Sequence, residues 1–469
     1  MNLMTVDPAS ATVPGLAEAA ERALANASSA AGLSLAITDG AHLISESTFG
    51  LADLAGQRPV SSSTLFEIGS ISKGFTAALA LQARDGGLLD LDRPVTDYLP
   101  WFEVQSRFDP ITVRHLLTHT AGIIGGTEYT GDAVFETWDL RHTQATTPPG
   151  TWFNYSNTGY KALGVLLQAV YGKPYEQLLA ENLLQPLGMA SSEPAITHDT
   201  RRRLAVGYAP FYDDRPCLRA DGLVPATWVE TATADGSIAS TAVDMTAWLR
   251  LLLNDGLAAD GRQLVQEHSV REMLSAYIDA DVPDQSYGLG MYLGELDGHR
   301  YARHGGGMVG YNAAVVCNLD LQYGAVVLAN GVGPWDELAA HAIHLAHAAR
   351  SGATPPTFSL QGSELRTELP TDRPVGPTPD QFVPMVGHYR AYNPWMSNIR
   401  VQHHDGALWI WDGHDSTHLG EKLVELPDGS FRIGTDERAP ERIRFDVIID
   451  GLATRANVDG CAFYRSFTP

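Results

Sequence analysis

Two polar side chains three positions apart could perform acyl-transfer chemistry: Ser70 and Lys73, in the run Ser70-Ile71-Ser72-Lys73. On a helix, residues i and i+3 share a face, so the hydroxyl and the amine lie within reach of each other. A serine hydroxyl is a poor nucleophile until a base takes its proton, and a lysine kept neutral by burial or nearby cations is such a base. Taken alone, the motif more often describes a helix N-cap serine followed by an exposed lysine.

A second group of polar residues is Tyr155-Ser156-Asn157, which stands in a loop that leads into a predicted helix. The phenol can relay a proton, and the amide can orient a substrate amide. The alternative is a simple Asn or Ser cap ahead of the helix that contains Lys161.

The third group is His304-Gly305-Gly306-Gly307, at the end of a predicted strand. Residues without side chains let a ligand approach the backbone and receive hydrogen bonds from its amides. The alternative is a flexible glycine loop between two strands.

In chain order, the SxxK, YxN and HGG motifs together resemble the penicillin-binding-protein and class C β-lactamase superfamily. The resemblance covers roughly residues 13–350. Further segments similar to those of the family are residues 66–70, 114–122, 186–189 and 240–245. The resemblance implies an α+β fold of the β-lactamase/transpeptidase type, with an antiparallel sheet flanked by helices and a helical region.

The resemblance also implies a two-step reaction in which Ser70 attacks a carbonyl while Lys73 and Tyr155 shuttle protons. His304 completes the catalytic set implied by the family. One departure is that His304 stands where β-lactamases and cell-wall transpeptidases usually carry lysine. This removes a fixed cation for a substrate carboxylate, so efficient β-lactam hydrolysis is not expected. The His-Gly version is similar to that of D-aminopeptidases, other serine peptidases and esterases of the superfamily.

The same analogy assigns the binding residues. The backbone amides of Ser70 and Gly307 are expected to form the oxyanion hole, and Asn157 is expected to hold the substrate with His304. Gly305 and Gly306 belong to the same binding segment.

The elements that must position these motifs follow from periodicity. An Ala-rich helix is predicted up to about residue 30, a strand hairpin over 33–49 and a helix that begins at Ser70 and ends at Gly86-Gly87. Residues 91–253 are predicted to be mostly helical. Strands are predicted between residues 287 and 330, followed by a helix over 337–350.

Six prolines between residues 351 and 381 predict a linker, so the domains are expected to be 1–350, a linker 351–381 and 382–469. Asp-Gly turns and alternating apolar residues predict a small all-β barrel or sandwich in the last segment. Several relatives of the catalytic region carry a lipocalin-like domain there. Its loop Tyr392-Asn393-Pro394-Trp395 either reaches the active site or packs the domain interface.

Composition excludes several function classes. The 44% hydrophobic and 19% charged residues are those of a globular protein. A formal net charge of -23 disfavours nucleic acid and anionic membranes as partners. Three scattered cysteines indicate neither disulfides nor a CxxC metal site. Because no signal-like or membrane-spanning run is found, a cytoplasmic location is expected.

No metal and no organic cofactor are predicted. The histidines at His115 and His119, and at His341, His344 and His347, have helical spacing, but neither an HExxH motif nor a cysteine cluster accompanies them. They are interpreted as structural or surface residues.

Three functions remain open. The first is a serine hydrolase that cleaves a small ester or a peptide amide, possible substrates including D-amino-acid derivatives. The second is an acyltransferase or a penicillin-binding-protein-type thioesterase that cyclises a peptide by passing the acyl group to an amine or alcohol. The third is an inactive module that binds acyl ligands. The oligomeric state is not determined by the sequence.

Overall fold

The computed structural model describes residues 13–218, 220–360, 377–412 and 420–466. The α-helices in these ranges are α1 Leu16–Ala25, α2 Ser72–Asp85, α3 Val113–Leu117, α4 Ala133–Asp139, α5 Asn157–Tyr171, α6 Tyr175–Leu179, α7 His198–Arg201, α8 Ala242–Leu253, α9 Glu267–Met273 and α10 Trp335–Ser351. The strands before the C-terminal region are β1 Gly32–Asp39, β2 Leu43–Asp53, β3 Arg58–Pro59, β4 Phe66–Glu67, β5 Tyr208–Pro210, β6 Leu223–Pro225, β7 Ala239–Ser240, β8 Ile278–Asp279, β9 Gln285–Tyr287, β10 Tyr292–Leu296, β11 His299–Met308, β12 Tyr311–Asn318 and β13 Tyr323–Ala329. The later strands are β14 Gly387–Arg390, β15 Asn398–His404, β16 Ala407–Asp412, β17 Glu421–Glu425, β18 Phe431–Ile433, β19 Arg442–Ile449, β20 Leu452–Val458 and β21 Cys461–Arg465.

A nine-stranded sheet joins the two ends of the first 350 residues, in the order β3-β2-β1-β13-β12-β11-β10-β9-β8. The predicted hairpin β1–β2 is confirmed, and β1 pairs antiparallel with β13, where Leu35 faces Val327. Every residue of β13 is buried. Strands covered on both faces read as continuous apolar runs rather than as alternating ones. The α+β fold class predicted from the sequence is therefore confirmed.

Helices cover both faces of this sheet. One apolar cluster unites α1 and α10 with one face, and a larger one unites α2, α5 and α8 with the other. Most of α2 is buried, because its sequence is apolar or small on every side. Between residues 91 and 253, helix is the main regular structure and the described residues form only the short strands β5, β6 and β7, but loops make up the larger part of the region, so it is less helical than expected.

The nucleophile candidate does not lie in the helix itself. Ser70 occupies a 3₁₀ turn, Gly69–Ile71, and α2 begins two residues later at Ser72. Gly69 has a φ of 54°, and a Cβ there would lie 2.6 Å from the carbonyl oxygen of Gly307. Only glycine fits this close approach of the turn to β11, which is why the helix starts later than its sequence pattern suggests.

The C-terminal region is a closed antiparallel barrel in the order β14 to β21. Its tight turns include Asp405-Gly406, Asp450-Gly451 and Asp459-Gly460, in each of which both residues have positive φ. Such Asp-Gly pairs suit the two-residue turns that match the twist of antiparallel strands. The structure thus has the all-β barrel that the sequence predicted.

The segment predicted to be a linker is described only in part, because residues 361–376 lie outside the described ranges. Its beginning packs on the catalytic region, where Phe358 and Leu360 are buried against α1 and α10. The domain boundaries at 350 and 382 stay a prediction.

Within the described ranges, no helix has both the length and the apolar character needed to cross a membrane. The cytoplasmic location stays a prediction.

Hydrogen bonds and ion pairs join the barrel to the catalytic region. Arg390 donates to Asp213 at 3.1 Å, and Arg400 donates to Asp214 at 3.1 Å. On another side, Glu441 accepts from the backbone amide of Gly125 at 3.0 Å. These contacts tie the barrel to the loops that precede β6 and α4.

The packing of β11 on the turn at Ser70 predicts a contrast between two adjacent glycines. A Cβ on Gly306 would lie 1.8 Å from the carbonyl oxygen of Ile68, whereas a Cβ on Gly307 meets nothing within 4 Å. We expect Gly306→Ala to lower the free energy of unfolding by at least about 2 kcal/mol, because backbone has to move. Gly307→Ala, the matched control, is expected to change it by less than about 0.5 kcal/mol. Chemical denaturation of both variants measures this, and equal stabilities would contradict the packing.

Candidate active site

Lys73 is a fully buried lysine at the start of α2. Its Nζ lies 2.9 Å from Ser70 Oγ, 2.7 Å from Asn157 Oδ1 and 2.9 Å from the carbonyl oxygen of Asp235. The structure therefore excludes the interpretation of the SxxK motif as a cap followed by an exposed lysine. It brings the serine and the lysine together as the spacing suggested.

The contacts of Lys73 suit a neutral amine. The oxygens of Asn157 and Asp235 can only accept, so Lys73 donates to both of them. A neutral amine then has one lone pair left, at the position that faces Ser70 Oγ, and this lone pair can take the hydroxyl proton. Burial lowers the pKa of Lys73 to about 8, although the nearby carboxylates of Asp235 and Glu128 act in the opposite direction.

Tyr155 lies next to this pair. Lys73 Nζ is 4.9 Å from the centre of the Tyr155 ring. Burial raises the pKa of Tyr155 well above its usual value, while a hydrogen bond with Ser70 acts against this rise. The phenol therefore stays protonated, so Tyr155 can pass on a proton but cannot begin as a phenolate base.

The residues after Tyr155 combine a structural and a chemical role. Ser156 is the N-cap of α5, because its hydroxyl accepts from the amide of Gly159 at 3.0 Å. Asn157 is the first residue of α5 and holds Lys73. The helix cap that the sequence suggested as an alternative is therefore present, at Ser156. By fixing the start of α5, this cap also orients Asn157 toward Lys73.

His304 is buried in β11 as a neutral imidazole. Its Nδ1 lies 2.6 Å from the carbonyl oxygen of Gly305, so Nδ1 carries the proton, and its Nε2 accepts from the Tyr287 hydroxyl at 3.2 Å. Burial lowers the pKa of His304 to about 3, and the charge of Lys73 adds to this effect. The position therefore supplies no fixed positive charge.

The glycines after His304 belong to the strand rather than to a loop. Gly305, Gly306 and Gly307 pair with β12 inside β11, so the interpretation as a flexible glycine loop is wrong. Because Gly306 packs on the backbone of Ile68, Gly307 comes to lie beside Gly69 and Ser70. The strand is thus the wall of the site opposite the 3₁₀ turn.

Ser70 opens onto two cavities. One, of about 360 Å³, is lined by Tyr155, Tyr292, Arg303 and His304. The other, of about 40 Å³, has Ser70, Asn157, Gly307 and further polar side chains in its lining. A substrate carbonyl placed at Ser70 therefore has space on both of its sides.

The barrel contributes to the second cavity through Trp395, which lines it. Asn393 holds this loop in place: its Nδ2 donates to the carbonyl oxygen of Thr127, and its Oδ1 accepts from the amide of Trp395 at 2.9 Å. Both interpretations of the loop are thus realised, since Asn393 packs the interface and Trp395 reaches the site. Tyr392 is fully exposed.

Four charged residues near the site were not identified from the sequence: Glu128, Glu136, Lys161 and Asp235. Lys161 is buried and donates to Glu128 at 2.5 Å and to Glu136 at 2.7 Å. Lys161 could have been found, because a lysine within the apolar α5 has to bury its charge. Glu128 lies in a loop without a motif, so no sequence signal identifies it.

His119 is a buried structural residue behind the site. Its Nδ1 accepts from the amide of Ser156 at 2.9 Å, and its ring centre is 4.3 Å from that of Tyr155. His115 closes a capping box at the start of α3. In the parts of the chain that are described, no three His, Cys, Asp or Glu side chains are grouped as metal ligands.

Comparison with known proteins agrees with this geometry. The family model described as "Beta-lactamase" matches residues 17–350, which include all three motifs. The chain belongs to the beta-lactamase family. It is a member of a family of serine hydrolases that includes penicillin-binding proteins.

The matches to relatives of this beta-lactamase family member cover between half and nearly all of its chain. It is 29% identical over 260 residues to penicillin-binding protein 4 of Amycolatopsis lactamdurans, a match that covers 51% of this chain and 65% of the relative, just under two thirds. The octameric penicillin-binding protein homologue from Pyrococcus abyssi has 22% identity and a TM-score of 0.61 and covers 93% of this chain and 96% of its own. SurE has 26% identity and a TM-score of 0.60 and covers 97% of this chain and 98% of its own. The two structural matches therefore extend into the barrel.

The buried ion cluster predicts a strong dependence of stability on Lys161. We expect Lys161→Met to lower the free energy of unfolding by about 3 kcal/mol, because Glu128 and Glu136 would remain buried without their cation. The control is Lys173→Met, which breaks a pair with Glu181 whose side chains are 46% and 39% exposed. This change should leave stability nearly unaltered, because water screens exposed pairs. Chemical denaturation gives the free energy of unfolding of both variants. A similar loss of stability in Lys161→Met and Lys173→Met would contradict the prediction.

Proposed function

We propose that the protein is a serine hydrolase that forms an acyl-enzyme on Ser70 and cleaves a small ester or a peptide amide. The observation that carries this proposal is the buried amine of Lys73, 2.9 Å from Ser70 Oγ, with its two other contacts made to oxygens that only accept. Such an arrangement supplies an unprotonated base to a serine hydroxyl at lower pH than an exposed lysine would, because burial lowers the pKa of Lys73 to about 8.

In this proposal, Ser70 Oγ attacks the substrate carbonyl carbon while its proton passes to Lys73. The bond to the leaving group breaks as Tyr155, which hydrogen bonds with Ser70, delivers a proton to the leaving oxygen or nitrogen. Lys73 then passes the serine proton to Tyr155, so that both groups return to their starting states. Water then repeats the attack on the ester carbonyl and releases Ser70. The backbone amides of Ser70 and Gly307 are our candidates for the oxyanion hole.

The neutral state of His304 favours esters and amides without a carboxylate at that position. Its two ring nitrogens are occupied by Gly305 and Tyr287, so it orients the wall of the site rather than binding an anion. Arg303 is the nearby cation, but it is engaged with Gln285 at 3.0 Å. These contacts support hydrolysis of a small ester or peptide amide over hydrolysis of a β-lactam.

The proposal predicts one covalent adduct. We expect a fluorophosphonate to add to the wild type once, and p-nitrophenyl butyrate to be hydrolysed. Ser70→Ala is expected to lose both adduct and turnover, and Lys73→Ala to lose turnover at least about a thousandfold. Intact mass spectrometry and release of p-nitrophenol are the measurements.

The matched control is Ser72→Ala, since Ser72 is buried in the same motif and its hydroxyl accepts only from the amide of Ile238 at 3.3 Å among the described partners. It should keep the adduct. Labelling of Ser70→Ala equal to that of the wild type would refute the proposed nucleophile. Binding of acyl ligands without any adduct on the wild type would favour an inactive binding module.

Activity should follow the protonation of Lys73. Below its pKa of about 8 the amine is charged and cannot accept a proton, so kcat/KM for the ester is expected to rise about tenfold per pH unit and to level off above pH 8. Because Asp235 raises the pKa of Lys73, Asp235→Asn should move this midpoint to lower pH. The pH profiles of the two proteins test this, and a midpoint that moves upward would disagree with the assignment.

A further inference from the structure

The smaller cavity beside Ser70, of about 40 Å³, has an acidic wall. We call it the acidic pocket and define it by Glu128, Thr130, Thr233, Asp235 and Trp395, which line it together with one cation, Lys161. The nucleophile lines the same space, so any ligand in the pocket is next to the acyl carbon. The pocket therefore faces one end of the substrate.

The carboxylates of this pocket are not fully paired by the protein. Asp235 is only 6% exposed, and its Oδ1 is buried and accepts no hydrogen bond from any residue in the described ranges. Glu128 gives one oxygen to Lys161, but its Oε1 is buried and has no partner in the same ranges. A buried carboxylate oxygen without a donor is costly, so an occupant that donates hydrogen bonds is favoured.

The charges lead to the same conclusion. Lys161 is shared between Glu128 and Glu136, while Asp235 has no direct ion-pair partner among the described residues. The second lysine, Lys73, must be neutral when it acts as the base. During catalysis the pocket therefore has more carboxylate than cation, and a positive ligand would restore the balance.

We propose that the acidic pocket binds a primary ammonium group of the substrate through Asp235 and Glu128. This inference rests on the proposed function and names the chemical class of its substrate. An ammonium group supplies both the missing charge and three N–H donors to these oxygens. The Trp395 ring adds an aromatic surface, which is a common neighbour of cationic ligands.

The ammonium group has two possible sources. It is carried either by the acyl donor, as the free amino group of an aminoacyl ester or amide, or by a primary amine that serves as the acyl acceptor. In the second case the bound ammonium gives a proton to neutral Lys73, its nitrogen then attacks the acyl carbon, and the bond to Ser70 Oγ breaks. Both present the same chemistry to Asp235 and Glu128. An experiment with two arms separates them.

The first arm tests the donor with the p-nitroanilides of D- and L-alanine and their N-acetyl counterparts. If the donor supplies the ammonium group, the wild type prefers the free amine at least tenfold in kcat/KM for one enantiomer. Asp235→Asn and Glu128→Gln each lower this preference at least tenfold. The preference is a ratio, so a general effect of a variant on turnover cancels.

The control for this arm is Asp281→Asn, because Asp281 lines the other cavity at Ser70. It should keep the preference of the wild type. A preference that falls equally in this variant would show a general effect of negative charge and would overturn the assignment to the acidic pocket.

The second arm tests the acceptor with p-nitrophenyl butyrate and increasing D- or L-alaninamide. If the acceptor supplies the ammonium group, N-butyryl alaninamide forms with saturation in the wild type. Asp235→Asn raises the half-saturating concentration at least tenfold. Mass spectrometry of the products gives the ratio of amide to butyrate.

Absence of both effects, with normal Ser70 labelling and ester turnover, overturns the ammonium site and leaves the proposed function intact. Absence of labelling and turnover overturns both. A wild type that prefers the N-acetyl substrates also contradicts the ammonium site. Such a preference would show that the acidic pocket does not bind the charged amino group of the free substrates.

Discussion

Burial of one amine is the constraint on which the site depends. Lys73 has no exposed surface, so its charge is unfavourable and its two acceptor contacts have to be supplied by the surrounding chain. Asn157 comes from the start of α5, and the carbonyl of Asp235 comes from the loop before β7. The long sheet and the helical region must therefore be assembled before Lys73 becomes a base. The capping of α5 by Ser156 is part of the same requirement, because it fixes where Asn157 points.

The second requirement is close approach of backbone to backbone. Gly69 and Gly306 have no side chains where the 3₁₀ turn meets β11, and any larger residue at Gly306 would collide with Ile68. This contact places Gly307 beside Ser70 and separates the two cavities. The barrel then closes one of them with Trp395, from a loop held by Asn393. The site is consequently built from five distant parts of the chain, none of which forms it alone: the turn at Ser70, the start of α5, the loop at Asp235, β11 and the Trp395 loop.

Much of the fold was predictable because its signals are local. The hairpin β1–β2, the helix after Ser70 and the Asp-Gly turns of the barrel all follow from periodicity and turn chemistry. The boundaries were less predictable: α2 begins at Ser72 rather than Ser70, since packing against β11 determines the turn. The glycines after His304 suggested a loop, but pairing with β12 makes them part of a strand. In both places tertiary contact overrides local preference.

The sequence by itself determined which groups are available for chemistry: the serine, lysine, tyrosine, asparagine and histidine of three motifs, in an order similar to that of a known superfamily. Only the tertiary structure decided their protonation. Burial lowers the pKa of Lys73 to about 8, keeps Tyr155 a phenol and leaves His304 neutral. It also decided that Glu128 and Asp235 share a pocket with Ser70. The physical reason is that desolvation and charge pairing depend on neighbours brought together from distant positions, which spacing along the chain does not encode.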